Sequence, residues 1–193
     1  MKVVAFNGSP RQGGNTEHLI RAVFAPLEAA GIETELVQLG GKTLRGCIAC
    51  MKCRERQDGR CAIDSDLGNE YLAKMCAADG ILLGSPTYFT DVTAEMKALI
   101  DRSGYVALGN GGLFRRKVGA AVVAARRGGA THAFDTLNHL FLINQMVIPG
   151  ATYWNLGYGL HPGDVEEDPE GLANMRNLGE NMAWLLQAIA ASG

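Results

Sequence analysis

The chain has 193 residues, of which 47% are hydrophobic and 20% charged, and its formal net charge is −2 at pH 7. This length and composition are typical of an ordinary globular protein and predict a single domain over residues 1–193. The charge balance offers no basic field for nucleic acid and no polybasic segment for a membrane surface. No apolar run approaches the length of a membrane span, and the N-terminal run is too short for a signal peptide, so we expect a cytoplasmic protein.

Short apolar runs alternate with amphipathic stretches in the first half of the chain. Val3–Phe6 and Ile81–Leu83 predict buried strands, and the alternating segment Ile32–Leu39 predicts an edge strand. Apolar residues at helical spacing from Leu19 onward predict a first helix, which Gly31 ends. A second helix is expected between the edge strand and the second buried strand.

The second half of the chain continues the alternation. Met96 and its apolar neighbours predict a helix that ends near Gly104, and Val118–Ala125 predicts a buried strand rich in small residues. A further helix is expected before a fifth strand at Met146–Ile148, to which Thr152–Trp154 could be added.

A last helix is expected to begin at Pro169, because Asp168 before it is a capping residue and proline suits the first helical position. The resulting order of elements predicts an α/β fold, a doubly wound five-stranded parallel sheet with helices on both faces. We expect the strand order 2-1-3-4-5, which places the weak second strand at an edge. A cysteine-rich loop over residues 44–63 would then be an insertion after strand 2.

Four cysteines lie at the spacing C-x2-C-x2-C-x7-C, namely Cys47, Cys50, Cys53 and Cys61. This spacing is too tight for a disulfide framework and is typical of thiolates around a compact inorganic cluster. It favours a [4Fe–4S] cluster, with redox-active or idle thiols as the main alternative. Structural zinc is a further alternative, although zinc sites usually use two well-separated C-x2-C pairs. The fifth cysteine, Cys76, falls on the apolar face of a predicted helix and is expected in the core.

A glycine-rich loop, GSPRQGGNT at Gly8–Thr16, joins the first strand to the first helix. A helix N-terminus in this place offers free N–H donors and a positive dipole end to an anion. Ser9 and Thr16 add hydroxyl groups, Asn15 adds an amide, and Arg11 is able to clamp a phosphate through two nitrogens. The loop is neither a Walker loop nor a dinucleotide-binding G-x-G-x-x-G, and the alternative is a plain strand-to-helix turn.

Three segments in this order resemble the flavodoxin-like NAD(P)H-dependent FMN reductases: the loop at Gly8–Thr16, GSPTYFTDVTAEMKALIDR at Gly84–Arg102, and AARRGG at Ala124–Gly129. The YWN at Tyr153–Asn155 is similar to that family as well, and the cysteine run is similar to its iron–sulfur flavoprotein branch. The resemblance covers nearly the whole chain.

The resemblance implies FMN and assigns residues to it. The residues implied to bind its phosphate are Ser9, Arg11, Asn15 and Thr16. Those implied to flank its ring are Pro86, Thr87, Tyr88 and Phe89. Arg127 and Gly128 would approach the polar edge of the ring.

The resemblance also implies the reaction class and partners. We expect an electron-transfer oxidoreductase that passes electrons between a ferredoxin-like or NAD(P)H donor and quinones or small oxidants, with a [4Fe–4S] cluster on the four cysteines. Relatives form homodimers or homotetramers, and Tyr153, Trp154 and Tyr158 would then contribute to a neighbouring subunit's flavin pocket. The alternatives are a cluster-free NAD(P)H:quinone or FMN reductase with a thiol loop, and a non-catalytic flavodoxin-like electron carrier.

Overall fold

Five parallel strands form one sheet in the computed structural model, which describes residues 1–192. The strands are β1 (Lys2–Asn7), β2 (Glu33–Gln38), β3 (Gly80–Pro86), β4 (Val118–Ala125) and β5 (Leu156–Tyr158). Their order is β2-β1-β3-β4-β5, so the predicted flavodoxin-like class and strand order are confirmed.

The described part of the chain also forms six helices: α1 (Asn15–Ala29), α2 (Lys52–Arg56), α3 (Gly68–Ala77), α4 (Ala94–Gly109), α5 (Ala130–Ile143) and α6 (Pro169–Ser192). A short 3-10 turn, Asp164–Glu167, precedes α6. Within residues 1–192, none of the helices combines the length and the apolar character that a membrane crossing requires.

The sheet is covered on both faces, and this explains why its central strands are almost continuously apolar. Val3 and Ala5 of β1 face α1 and α6, whereas Val4 and Phe6 face the core that contains α3, α4 and α5. Successive side chains of one strand therefore enter two different cores, as the two-residue period of a strand requires.

The fifth strand was predicted in the wrong place. Val147 forms only an isolated parallel bridge with Val118, at the start of β4. The chain then leaves the sheet and pairs again at the end of β4, through Leu156–Tyr158. The predicted Thr152–Trp154 lies just before this strand, outside it. Pro149 and Gly150 interrupt the pairing, because a proline cannot donate a ladder hydrogen bond.

The end of α4 was also predicted wrongly, since the helix passes Gly104 and continues to Gly109. A Cβ on Gly104 would lie 2.8 Å from Leu140 Cδ1 of α5. This glycine therefore allows two helices to approach closely and does not stop the helix.

The loop after β1 is fixed from two sides. Thr93 caps α4 and donates a 2.9 Å hydrogen bond from Oγ1 to the carbonyl of Gly8. Gly40, just after β2, packs so closely on the backbone of Ser9 that any Cβ there would collide with it. The glycine-rich loop at Gly8–Thr16 is thus held by contacts with the start of α4 and with the segment that follows β2.

Candidate functional site

A cavity of about 610 Å³, including its open mouth, lies at the carboxyl end of the sheet. This is the place where open parallel sheets bind ligands. Seven of the residues implied by the resemblance line it: Ser9, Arg11, Asn15, Thr16, Pro86, Thr87 and Tyr88. The other lining residues are Ala124, Ala125, Arg126, Gly159 and Leu160.

Local hydrogen bonds shape the loop between β1 and α1. Asn7 Oδ1 accepts from the Ser9 N–H at 3.0 Å, and Ser9 Oγ accepts from the Arg11 N–H at 3.2 Å. Asn15 and Thr16 are the first two residues of α1, so their backbone N–H groups have no acceptor within the helix. The positive end of the helix dipole and these N–H groups suit a phosphate.

The side chains of Asn15 and Arg11 also hold a second loop against the cavity. Asn15 Oδ1 accepts from the Gly163 N–H at 2.9 Å, and Arg11 Nη1 donates to the carbonyl of Leu160 at 3.0 Å. Sequence reasoning missed Gly159 and Leu160 as lining residues. Their signal was the glycine-rich segment GYGLHPGD, which begins within the short β5 and continues beyond it.

The loop after β3 contributes a rigid wall. The Thr87 N–H donates to the carbonyl of Ala124 at 2.9 Å, and Tyr88 and Asp91 exchange backbone hydrogen bonds. Phe89 and Thr90 both have positive φ values, 48° and 69°, within this tight turn. Phe89 is fully exposed and is not among the residues lining the cavity.

The hydroxyl of Thr87 indicates whether a ligand with polar groups would fit this cavity. Its Oγ1 is buried and has no hydrogen-bond partner within the described residues 1–192. Buried polar atoms are usually paired, so an orphaned hydroxyl beside a cavity indicates a polar group that belongs there. Together with the anion-binding loop, this fits a phosphorylated heterocycle such as FMN.

The loop after β4 places Arg126 on the cavity. Arg127 and Gly128 follow it and are exposed, and neither lines the cavity. The two adjacent arginines could not be distinguished by sequence, since only the local backbone decides which of them faces the site.

The four clustered cysteines line a second, smaller cavity of about 310 Å³, including its open mouth. Its other lining residues are Ile48, Met51, Ala62, Ile63, Arg102, Tyr105 and Val106. Cys53 lies in α2 and is buried, Cys50 and Cys61 are half-buried, and Cys47 is exposed. Burial raises the pKa of the Cys53 thiol, and the nearby Cys61 and Cys47 raise it further.

The donor set of this cavity is four cysteine thiols, the ligand type that holds iron–sulfur clusters in proteins. Within residues 1–192, no three His, Cys, Asp or Glu side chains are arranged to hold one metal ion. All five cysteines lie in this described range, and all are free thiols. The backbone is coiled tightly, with positive φ values at Ala49, Met51 and Gln57, as is common where a loop wraps a functional group.

A buried ion pair supports the cysteine segment. Arg102 Nη1 lies 2.7 Å from both carboxylate oxygens of Asp66, and the two side chains are only 4% and 5% exposed. Burial raises the pKa of Asp66, but Arg102 and two backbone N–H groups outweigh it, so the pKa is below its usual value. The Asp66 carboxylate also accepts a hydrogen bond from the Gly68 N–H at 2.9 Å, but its main partner is Arg102.

The family described as NADPH-dependent FMN reductase matches residues 1–161 of the chain. An iron–sulfur flavoprotein of Methanocaldococcus jannaschii is 42% identical over 196 residues, covering 98% of this chain and 99% of the relative. An iron–sulfur flavoprotein of Methanosarcina thermophila is 33% identical over 191 residues, covering 98% of this chain and 97% of the relative.

Solved structures share the fold at low sequence identity. A flavone reductase superposes with a TM-score of 0.74 at 18% identity, covering 100% of this chain and 65% of that one. An NAD(P)H:quinone oxidoreductase from Methanothermobacter marburgensis superposes with a TM-score of 0.64 at 16% identity, covering 94% and 96%. Membership of this family supports FMN as the cofactor and electron transfer as the class of reaction. The chain belongs to the NADPH-dependent FMN reductase family, in its iron–sulfur flavoprotein branch, and is a flavin-dependent oxidoreductase.

Proposed function

We propose that this protein passes electrons between FMN in the cavity at the sheet end and a [4Fe–4S] cluster on Cys47, Cys50, Cys53 and Cys61. FMN accepts two electrons as a hydride or one at a time, whereas such a cluster accepts one at a time. FMN and the cluster together would transfer electrons between a molecule that exchanges one electron at a time and a molecule that exchanges two. The observation that carries the proposal is that all four cysteines of the C-x2-C-x2-C-x7-C run line one cavity.

The chain's own residues have distinct roles at the flavin site. Ser9, Arg11, Asn15 and Thr16 bind the phosphate through hydroxyl, guanidinium, amide and helix N-terminal donors. Pro86, Thr87 and Tyr88 position the ring, and the free Thr87 hydroxyl makes a polar contact with it. Phe89, Arg127 and Gly128 would contact FMN only after the exposed loops that carry them close on it. Arg126 already lines the cavity and is a further ligand contact.

The cysteine loop carries exposed positive charge. Lys52, Arg54, Arg56 and Arg60 are all exposed around the cysteines. They offset the negative charge of a thiolate-bound cluster and suit an acidic carrier protein, because opposite charges steer association. We therefore propose a ferredoxin-like carrier or NAD(P)H as donor and quinones or small oxidants as acceptors, in the cytoplasm, where free thiols persist.

Exposed aromatic side chains suggest contact between copies of the chain. Tyr153 and Trp154 are 59% and 54% exposed and pack edge to face, with ring centroids 4.6 Å apart. Leu142 lines the same groove and is also exposed. Large exposed apolar patches usually mark interaction surfaces, so a homodimer or homotetramer that buries Tyr153, Trp154 and Tyr158 is part of the proposal.

The decisive experiment is anaerobic purification followed by assays for iron, acid-labile sulfide and flavin. We expect about four iron and four sulfide per chain, a count that follows from four thiolate ligands, with flavin absorption bands on a broad brown background. Iron and sulfide absent from protein that retains flavin would refute the cluster and leave the flavin site intact.

Two observations favour a second candidate, a cluster-free NAD(P)H:quinone or FMN reductase. Cys47 is exposed, and the cysteine cavity is not shaped to hold a single metal ion by three or more of the described side chains. In that case the thiols would react with alkylating reagents in freshly purified protein, whereas a cluster would protect all four from modification.

A further inference from the structure

One guanidinium joins both ends of the cysteine segment. Arg102 Nη1 donates to the carbonyl of Arg45 at 3.2 Å, and Arg102 Nη2 donates to the carbonyl of Ile63 at 2.9 Å. These carbonyls lie two residues before Cys47 and two residues after Cys61. Arg102 therefore closes the loop that carries all four cysteines, and the ion pair with Asp66 fixes the orientation of the guanidinium.

The fit around this guanidinium is tight. Gly68, at the start of α3, packs directly against it, and a Cβ at that position would collide with the guanidinium group. The side chain is only 4% exposed, so water has little access to its remaining N–H donors. A change of rotamer is therefore blocked from two sides, by Gly68 and by the Asp66 carboxylate.

The third nitrogen of the group is not used. Arg102 Nε is buried and has no hydrogen-bond partner anywhere in residues 1–192, although Arg102 lines the cysteine cavity. A buried N–H without an acceptor destabilises the folded state and calls for an explanation. The cavity contains thiols, and sulfur atoms that carry negative charge are acceptors for such a donor.

We propose that Arg102 Nε–H donates a hydrogen bond to a sulfur atom of the cluster held in the cysteine cavity and thereby raises its reduction potential. This inference rests on the cluster proposed above. Reduction adds one negative charge, so a donor to sulfur stabilises the reduced form more than the oxidised form. Arg102 is thus a positioning residue for the loop and a determinant of the potential.

Two variants separate this role from a purely structural one. Arg102→Lys keeps a positive charge but removes the Nε–H, whereas Asp66→Asn breaks the same ion pair and leaves the Nε–H in place. We expect Arg102→Lys to lower the midpoint potential so that the ratio of reduced to oxidised cluster falls about tenfold, a shift of about 59 mV. We expect Asp66→Asn to leave the potential unchanged or raise it, because it removes a nearby negative charge.

The measurement is an EPR-monitored redox titration of each protein, with iron content and apparent Tm recorded beside it. Potentials that fall equally in both variants, or that stay constant while only Tm falls, would mean that Arg102 is a structural clamp and would overturn the proposal.

A measurement on the unmutated protein covers the case in which Arg102→Lys loses the cluster. Arginine labelled with ¹⁵N at Nε alone is expected to give a hyperfine coupling to the reduced cluster in pulsed EPR. The coupling should survive when the exposed Arg54, Arg56 and Arg60 are all changed to Lys. A reduced cluster without this coupling would overturn the role of Arg102 alone, whereas absence of iron and sulfide would overturn the proposed function itself.

Discussion

Asn15 Oδ1 at the start of α1 accepts a hydrogen bond from the Gly163 N–H at 2.9 Å, across 148 positions of sequence. Gly159 of the same loop packs so closely that a Cβ there would lie 2.6 Å from Asn15 Nδ2. The buried side chain of Asn15 thus links the glycine-rich loop at Gly8–Thr16 to the loop after β5. The two N–H donors of the Asn15 side chain are both on Nδ2, and this nitrogen is the part of the side chain that remains for a ligand.

The first prediction compares Asn15→Asp with Asn15→Ala. Aspartate keeps an acceptor for the Gly163 N–H but places a negative charge where we assign the phosphate. We expect Asn15→Asp to bind FMN at least about tenfold more weakly than Asn15→Ala, or about 1.4 kcal/mol. Flavin fluorescence quenching measures both affinities.

Riboflavin is the control ligand for this comparison, because it lacks the phosphate. The difference in affinity between the Asn15→Asp and Asn15→Ala variants should disappear when riboflavin is the ligand. Equal FMN affinity in the two variants would place the phosphate elsewhere in the cavity.

The second prediction concerns the cysteines. If the cluster is bound as proposed, Cys53→Ser should lose most of its iron and sulfide but keep FMN, since it removes a buried thiol from the cysteine cavity and leaves the sheet-end cavity untouched. Cys76→Ser is the matched control, because Cys76 lies in α3 and packs against the core, outside the residues that line the cysteine cavity. Iron, sulfide and flavin assays on anaerobic samples check both. Full iron retention in Cys53→Ser, or equal loss in both variants, would contradict the assignment.

The third prediction is a pH dependence at the edge strand. Glu35 Oε1 lies 2.6 Å from Lys74 Nζ, and Glu35 Oε2 lies 2.8 Å from Lys2 Nζ. Hydrogen bonds from Lys2 and Lys74 lower the pKa of Glu35 below its usual value of 4.5. A carboxyl group with a lowered folded-state pKa stabilises the protein fully above its unfolded-state pKa and loses this contribution as the pH falls through the folded-state value.

Glu35→Gln should therefore lower Tm at pH 7, by about 2–4 °C for a loss of about 1 kcal/mol, because the pair is partly exposed and screened. The difference from the unmutated protein should stay constant down to about pH 5.5 and shrink at lower pH. Thermal unfolding curves across this range provide the measurement, and a difference that grows on acidification would have the wrong sign.

The predictable part of the fold came from patterns that are local in sequence. β1, β3 and β4 are continuous apolar runs, and each ends in a loop of distinctive composition. Because parallel strands end at one edge of the sheet, Ser9 and Pro86 could be expected in one site even though they lie in distant segments of the chain. The motif residues from Ser9 to Thr16 and from Pro86 to Tyr88 do line a single cavity.

The features of the fold and the site that could not be predicted depend on contacts between distant segments of the chain. β5 has only three residues, one of them Gly157, so its apolar signal is weaker than that of the preceding run at Met146. The role of Gly104 is decided by Leu140 of a neighbouring helix, and that of Arg102 by Asp66 and two carbonyls from other parts of the chain. Such pairings have no spacing rule that a single sequence reveals.

The fourth prediction tests the packing of α1 on α6. A Cβ on Gly179 of α6 would collide with the Val23 carbonyl and lie 2.5 Å from Pro26 Cγ of α1. Glycine to alanine normally stabilises a helix by about 1 kcal/mol, but here overpacking should reverse the sign and destabilise the protein by about 1–3 kcal/mol.

Gly150→Ala is the control, because a Cβ at Gly150 has nothing within 4 Å. Chemical denaturation of flavin-free protein should show a lower midpoint for Gly179→Ala and little change for Gly150→Ala; a stabilised Gly179→Ala would mean that the two helices separate at low cost.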